Sequence, residues 1–339
     1  MIIGIGLSGG ADSAFAAWLL LRQGCQVRAF TMSTTPDSPA VVKGRQVADK
    51  LGIPHEVLDL GGAFEREILA PFADAYACGE TPSPCAVCNA RLKFGLLAEA
   101  MLARGCTAVA TGHYARNDAS GRLFRGADHI KDQSYFLARL TPSQLRQAVF
   151  PLGEWRKHDV LAEVRRLDLV PVSEKESQDL CFLPSGDFAE FVLQRHPELR
   201  DLPPGRILDS RGKCLGHHDG AFRYTPGQRR GLGLGGGPWY VLKTDVQRNL
   251  VFVDTEDESR QQDVSLRDFR WLVPQSDKQG SLPCQAQLRF RMKPRTAIVE
   301  WDETAAVLHF AEPVAAVAPG QLAVCYDGNQ VIASGWIQS

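Results

Sequence analysis

The chain opens Met1-Ile2-Ile3-Gly4-Ile5-Gly6-Leu7-Ser8-Gly9-Gly10-Ala11-Asp12-Ser13, and the reading of this stretch decides the fold. Residues 2–7 are an apolar run suited to a buried strand, and Ala14 to Gln23 reads as a helix closed by Gly24. Between them lie glycines and hydroxyls. Gly4, Gly6 and Gly9 match the dinucleotide fingerprint G-x-G-x-x-G, but that site also needs an acid about 20 positions on, at the end of the second strand. The second strand, Val27 to Met32, runs into Ser33 without one. A Walker loop needs Gly-Lys-Ser/Thr, and the first lysine of the chain is Lys43. What remains is a loop whose glycines let backbone N–H groups converge on an anion at a helix N-terminus. Ser8 and Ser13 add hydroxyls, and Asp12 is placed to hold a magnesium ion. This is a pyrophosphate cradle without the lysine; the competing reading is a tight glycine turn.

Outward from the loop, Val41 to Leu51 is a second helix stopped by Gly52, and Val57 to Leu60 a third strand. Strands and helices alternating at these spacings predict an α/β fold with a parallel sheet and right-handed crossovers. Helical stretches at 63–77 and 90–104 flank the loop CGETPSPCAVCN, Thr107 to Thr111 returns to the sheet, and 134–200 is mostly helical. Beyond DLPPGRILDS come short alternating runs separated by Gly, Pro, Asn and Asp, with hairpin turns at Pro319-Gly320 and Asp327-Gly328. The expected layout is a catalytic α/β domain over 1–200, a small β-rich central domain over 201–262 and a C-terminal β-barrel over 263–339.

With 339 residues, 44% hydrophobic and 23% charged, the composition is that of a soluble globular protein of two or three domains. No stretch approaches the roughly 20 apolar residues of a membrane span. The start of the chain lacks the basic and apolar regions of a signal peptide. Nine scattered cysteines do not form a secreted disulfide framework, so a cytoplasmic location with usable thiols is expected. A net charge of −1 leaves any nucleic-acid binding to local patches.

Ser8-Gly9-Gly10-Ala11-Asp12-Ser13 resembles the SGG-x-D-S signature of the PP-loop ATP pyrophosphatases (adenine nucleotide alpha hydrolase-like), which cleave ATP between its α and β phosphates. That group spans amidotransferases, argininosuccinate synthetases and tRNA-modifying enzymes. TPSPCAVCNARLKF, ATGHYAR, KDQSYFL and ESQDLCFLPSGDF, then GQRRGLGLGGGPWYV and EPVAAVAPGQLAVCYDG, resemble segments of the tRNA-specific 2-thiouridylases in the same order, across nearly the whole chain. The resemblance implies a PP-loop domain, a central domain and a β-barrel. It also implies thiolation at C2 of the wobble uridine in tRNAs for Lys, Glu and Gln, using ATP with Mg2+. An upstream persulfide donor or relay protein would supply sulfur, with no membrane partner. The chemistry agrees with the residues: a uracil C2 oxygen leaves readily only once attached to AMP, and cysteine is the side chain that carries transferable sulfur.

By the same resemblance Gly6, Leu7, Ser8, Gly9, Gly10, Ala11, Asp12 and Ser13 hold ATP, with Met32 beside the adenine and Gly112 a further contact. Cys88 is the implied nucleophile and Cys181 the persulfide carrier; Ser83, Pro84 and Cys85 line the target-base pocket. His113, Lys131, Asp132, Gln133, Arg289, Phe290 and Gln321 are implied to face tRNA. Taken without the resemblance, Cys88 and Cys181 read as structural thiols, Met32 and His113 as satisfied interior residues, and 131–133 as a solvated turn. Asn89 is a good N-cap, which would place Cys88 at the mouth of a helix, where a thiolate gains about 0.3–1 kcal/mol. Arg289, Arg291, Lys293 and Arg295 alternate, so on a strand they share one face suited to phosphate contacts or simply to solvent. A second G-x-G-x-x-G match, Gly231, Gly233 and Gly236, precedes Gly-Pro-Trp instead of a helix and reads as a flexible loop around the RNA.

Two departures from the family pattern stand out. The stretch STTPDSPAVV after Met32 is shorter and less acidic than usual, and Cys85 occupies a position where better-known members carry Asp. Cys85-x-x-Cys88 with remote Cys181 is an adequate ligand set for a [4Fe–4S] cluster with one open iron. The persulfide route is favoured because the family pattern needs only Cys88 and Cys181. A PP-loop ligase acting on a small metabolite leaves the paired cysteines and the barrel without a purpose. A thiol-based or iron–sulfur RNA-binding sensor is the non-catalytic alternative.

Overall fold

The structure, a computed structural model, describes residues 1–35, 37–171, 180–183 and 187–338. The opening apolar run is β1 (Ile2–Gly6), followed by α1 (Ala11–Arg22), β2 (Gln26–Ser33), α2 (Pro39–Leu51) and β3 (His55–Asp59). A helical run follows as α3 (Gly61–Phe64), a π-helical turn Glu65–Leu69 and α4 (Ala70–Ala77). The next run is α5 (Pro84–Val87), a π-helical segment Cys88–Leu97 and α6 (Ala98–Ala103), before β4 (Ala108–Ala110) re-enters the sheet. Then come a hairpin of β5 (Ala115–Asn117) and β6 (Leu123–Arg125), α7 (Ser134–Leu137), α8 (Pro142–Gln147), β7 (Ala148–Val149) and α9 (Lys157–Arg166).

The sheet is parallel with order β3-β2-β1-β4-β7. The chain steps one way from β1 to β3 and then crosses back to place β4 on the other side of β1. The carboxyl ends of β1 and β4 therefore flank a topological switch point, where open α/β sheets bind ligands. Ile3, Ile5 and Leu7 of the β1 run, Phe15 and Leu20 of α1, and Val160 and Val164 of α9 share one buried core. α1 is apolar nearly all round because it is buried nearly all round; Phe15 meets Trp155 edge-on at 4.9 Å between centroids.

After α10 (Phe188–Arg195) the chain becomes all β. β8 (Gly205–Asp209), β9 (Cys214–His218), β10 (Tyr240–Asp245) and β11 (Leu250–Asp254) form a sheet ordered β10-β11-β8-β9, with only β11 and β8 parallel. The last six strands are β12 (Gln261–Trp271), β13 (Gly280–Gln287), β14 (Arg295–Trp301), β15 (Ala306–Val314), β16 (Leu322–Asp327) and β17 (Gln330–Ile337). They run in the order β12-β15-β14-β13-β16-β17, and pairing of β17 with β12 closes an antiparallel barrel. Along β14 buried and exposed residues alternate, as a barrel wall requires.

The chain divides into two compact units. One comprises Met1–Ile68, Cys85–Glu176 and Asp327–Ile332; the other comprises Leu69–Pro84, Ser177–Tyr326 and Ala333–Ser339. Within the first, the start of β17 extends the β5–β6 hairpin, with Gln330 opposite Phe124 and Val331 opposite Leu123. Among the described residues no helix is long and apolar enough to cross a membrane.

Three expectations change. The alternating Arg289, Arg291, Lys293 and Arg295 do not ride on one strand: β13 ends at Gln287, Arg289–Met292 is a turn, and β14 begins at Arg295. The region 134–200 is less helical than its pattern suggests, since β7 interrupts it to join the parallel sheet. The hairpin β5–β6 is absent from the expected layout, because strands of three residues carry no period to read. Of the stretch ESQDLCFLPSGDF, residues 176–179 and 184–186 lie outside the described residues.

Candidate active site

The loop after β1 is built from both sides. Leu7 N–H donates to Phe30 O at 2.8 Å, and Thr31 Oγ1 donates to Leu7 O at 2.5 Å, so β2 fixes the exit of β1. Gly9 sits at φ +75°, and a Cβ there would lie 2.8 Å from Gly44 N on α2. Only glycine accepts both conditions. Ser13 Oγ donates to Gly10 O at 3.0 Å and accepts from Ser8 N–H at 3.3 Å, folding the loop over the start of α1. No side chain caps α1, which leaves its first amides to an anion. After β4, Gly112 runs against that same first turn: a Cβ would lie 2.8 Å from Asp12 C and 2.9 Å from Ser13 N. Met32, half-buried at the end of β2, pairs with Leu58.

The Asp12 carboxylate is gripped from two directions. Oδ1 accepts from Tyr114 Oη at 2.7 Å and from Lys157 Nζ at 2.7 Å, while Oδ2 accepts from Lys157 Nζ at 2.8 Å. Lys157 is thus a cation at the loop whose own sequence lacks one. Its side chain is 13% exposed. Neither residue stands out in the sequence. Tyr114 adjoins His113 in the stretch ATGHYAR, but Lys157 is 145 positions from Asp12 and carries no local signal.

His113 is buried, and its Nδ1 is 2.8 Å from Thr111 Oγ1. The rings of Phe94 and Phe150 lie with centroids 6.3 Å away. Burial first, and Lys93 second, push its pKa well below the ordinary 6.5, so the imidazole is neutral at physiological pH. In the following loop, Asp132 accepts from Gly126 N–H and Ser134 N–H, each at 3.0 Å, and from Ser134 Oγ at 2.9 Å. Gln133 Oε1 accepts from Tyr114 N–H at 3.0 Å, and Lys131 N–H donates to Asp128 O at 3.1 Å.

Cys88 is not at a helix mouth. The helical run starts at Pro84, so Cys88 is a full turn inside and 9% exposed, and Cys85 is half-buried near the start. Proline at the first helical position is the start signal that outweighs Asn89. Asn89 is instead a buried helical residue whose Nδ2 donates to Phe136 O at 3.2 Å. The helix opens into π-helical turns from Cys88 onward. The Gln144 amide donates to the carbonyls of Ala90 and Phe94, each at 2.9 Å. Such turns recur at functional sites.

In the second unit Cys181 is exposed on a turn in which Leu183 N–H donates to Leu180 O. Its neighbour Phe182 packs against Phe72 at 5.1 Å and Phe191 at 5.5 Å, anchoring the turn while the thiol faces out. Gln321 Nε2 donates to Thr81 O and Pro82 O, both at 3.0 Å, and Thr81 N–H donates to Pro319 O at 2.7 Å. Arg267 pairs with Glu80. The barrel therefore fixes the segment that leads into buried Ser83 and Pro84. Arg289 and Phe290 sit on the β13–β14 connection, where buried Gln287 donates to Arg289 O at 3.1 Å and Phe290 O at 2.6 Å. Gly231, Gly233 and Gly236 all have positive φ, and their loop, with Arg229 and Trp239, lines a cavity of about 400 Å³. Among the described residues no three His, Cys, Asp or Glu side chains gather as a metal site.

A parallel sheet with a glycine-rich anion loop at its switch point, joined to a closed barrel, defines a PP-loop α/β protein with β-rich appendages. Residues 1–185 match the family described as tRNA methyl transferase HUP domain, 190–255 the tRNA methyl transferase PRC-barrel domain, and 261–337 the aminomethyltransferase beta-barrel domain. The tRNA-specific 2-thiouridylase MnmA of Acidithiobacillus ferrooxidans is 41% identical over 344 residues, covering 98% of this chain and 97% of its own. Its namesake from Nitratidesulfovibrio vulgaris is 40% identical, covering 99% of both. The chain belongs to the tRNA-specific 2-thiouridylase family. Among solved structures, the chain is similar to a 4-thiouridine synthetase–RNA complex with bound ATP, over 58% of this chain and 50% of that one, at 17% identity and a TM-score of 0.35.

Proposed function

We propose that the protein is an ATP-dependent tRNA-uridine 2-sulfurtransferase acting in the cytoplasm on the wobble uridine of tRNAs for Lys, Glu and Gln. The observation that carries this reading is the full-length match to relatives of that name, and the Ser8–Ser13 loop gives it a chemical basis. Gly6 to Ser13 receive the ATP phosphates, with Met32 and Gly112 flanking the nucleotide. Asp12 is the carboxylate of the loop, and one carboxylate with phosphate oxygens is a donor set that Mg2+ accepts. When bound, Mg2+ would neutralise charge on the phosphates.

The uridine O2 attacks the α-phosphorus and pyrophosphate leaves, converting O2 into an AMP leaving group. A persulfide on Cys181, loaded by an upstream donor or relay protein, attacks C2 and expels AMP. The Cys88 thiolate then attacks Cys181 Sγ, forming a disulfide and releasing the sulfur on C2 as 2-thiouridine; an external thiol reduces the disulfide for the next turnover. Ser83, Pro84 and Cys85 line the base pocket, and His113, as a neutral imidazole, faces it as a hydrogen-bonding group. Lys131, Asp132, Gln133, Arg289, Phe290 and Gln321 belong to the tRNA-facing set. In this division residues 1–200 carry the chemistry, 201–262 the central domain and 263–339 the RNA-contacting barrel.

The test is mass spectrometry of tRNA nucleosides from a strain lacking the gene. Wild-type chain should restore 2-thiouridine, whereas Asp12→Ala, Cys88→Ser and Cys181→Ser should not. Cys85→Ser should retain activity, since the persulfide route does not use it; inactive Cys85→Ser with an iron-dependent brown wild-type protein would favour the cluster route. Unchanged 2-thiouridine in the deletion strain overturns the reading.

A further inference from the structure

We propose that Tyr114 and Lys157 are positioning residues that couple the loop 128–133 to Asp12, so that RNA engaged on that loop strengthens ATP binding at the glycine-rich loop. The inference rests on the function proposed above. It adds a physical connection between the two substrates.

The connection has two arms that meet on one carboxylate. In the first, Gln133 clamps the backbone of Tyr114 from both sides: its Oε1 accepts from Tyr114 N–H at 3.0 Å, and its own N–H donates to Tyr114 O at 2.8 Å. The Tyr114 hydroxyl then donates to Asp12 Oδ1 at 2.7 Å. In the second, Asp128 Oδ1 accepts from Ile130 N–H at 3.0 Å and Lys131 N–H at 3.3 Å, while its other oxygen accepts from Lys157 N–H at 2.9 Å. Lys157 opens α9 and sends its ammonium to both oxygens of Asp12. The arms also touch each other, with Lys157 Nζ 5.8 Å from the centre of the Tyr114 ring.

There is little slack in this path. Tyr114 is 2% exposed. Gly126 passes so close that a Cβ would lie 2.8 Å from Tyr114 O. Asp132, through Gly126 N–H, ties the same loop to that crossing. Charge-assisted hydrogen bonds between tightly packed groups hold their geometry, so a displacement of 128–133 moves the Asp12 carboxylate instead of being absorbed. Ile130, 88% exposed at the tip, leaves the loop open to a macromolecule. Because binding linkage is reciprocal, ATP must strengthen RNA binding by the factor through which RNA strengthens ATP.

The experiment uses the full chain, α,β-methylene-ATP as a non-cleavable probe, and an unmodified tRNA transcript. In the wild type, saturating transcript should tighten the analogue by about five-fold or more, within the ordinary range of coupling between sites. Tyr114→Phe keeps the ring and loses only the hydroxyl; Lys157→Met keeps the stem and loses the charge. Each should reduce the coupling to below about two-fold while leaving transcript affinity, measured without nucleotide, within about two-fold. Lys157→Arg should restore part of it. Thermal melting of each variant reports folding separately. Wild-type coupling that survives in both Tyr114→Phe and Lys157→Met overturns the proposal. So does a wild type that thiolates tRNA with no coupling, and in that case the function stands. A wild type that binds neither transcript nor analogue overturns both.

Discussion

Burial among Phe94, Phe150 and the Thr111 hydroxyl, with Lys93 as the second cause, disfavours a second proton on the His113 imidazole. In the unfolded chain His113 titrates near 6.5, and in the fold well below it. The unfolded state therefore binds the extra proton first as pH falls, so this stability is present above pH 6.5 and declines below it, at no more than about 1.36 kcal/mol per pH unit. The melting temperature of the wild type should fall more steeply from pH 6.5 to 5 than that of His113→Gln; parallel slopes would place the acid sensitivity elsewhere. At this scale the glycine-rich loop is legible because its chemistry is contiguous: strand, glycines, hydroxyls, acid, helix. The grip on Asp12 is not legible, since Lys157 arrives from 145 positions away. Cys88 is misplaced by one turn in a sequence reading because Ser83-Pro84 begins the helix before Asn89 can cap it.

Among the elements, β1 to β4 are readable from apolar runs and glycine stops. β5, β6 and β7 have three, three and two residues, too few for any period, and exist because neighbouring strands offer hydrogen-bonding edges. Two carbonyls of the π-helical turns after Cys88 are met by the Gln144 amide, a contact no local pattern announces. The basic run teaches a related lesson: Arg289, Arg291, Lys293 and Arg295 are all exposed, although the first two sit on a turn and only Arg295 on a strand. Buried Gln287, itself accepting from Tyr326 Oη at 3.1 Å, holds that turn in place. Replacing Arg289 and Arg291 by Ala should weaken tRNA binding and reduce the slope of log affinity against log salt by up to about 2, roughly one for each phosphate no longer neutralised. Binding titrations over a salt series decide it, and an unchanged slope moves the RNA surface elsewhere.

For the whole molecule, neither compact unit is a continuous stretch of chain. The first borrows Asp327–Ile332, whose Val331 faces Leu123 and whose Asn329 O accepts from Arg125 N–H at 2.8 Å. Native-state hydrogen exchange should show the Arg125 amide opening together with the ladder to residues 330 and 331, as one cooperative group. Exchange of Arg125 in step with β1 and β4 instead would contradict that assignment. No composition shift in the sequence marks such a borrowed strand, because its partners are set by tertiary pairing alone.

The same borrowing imposes an order on synthesis. At about 5–20 residues per second, the roughly 200 residues between Arg125 and its partner take on the order of 10–40 s to be made. Throughout that interval β6 presents an open edge, the kind of surface that recruits stray strands. The ribosome thus holds a nearly finished nucleotide-binding unit that cannot seal itself until β17 emerges, the strand that completes both that edge and the barrel.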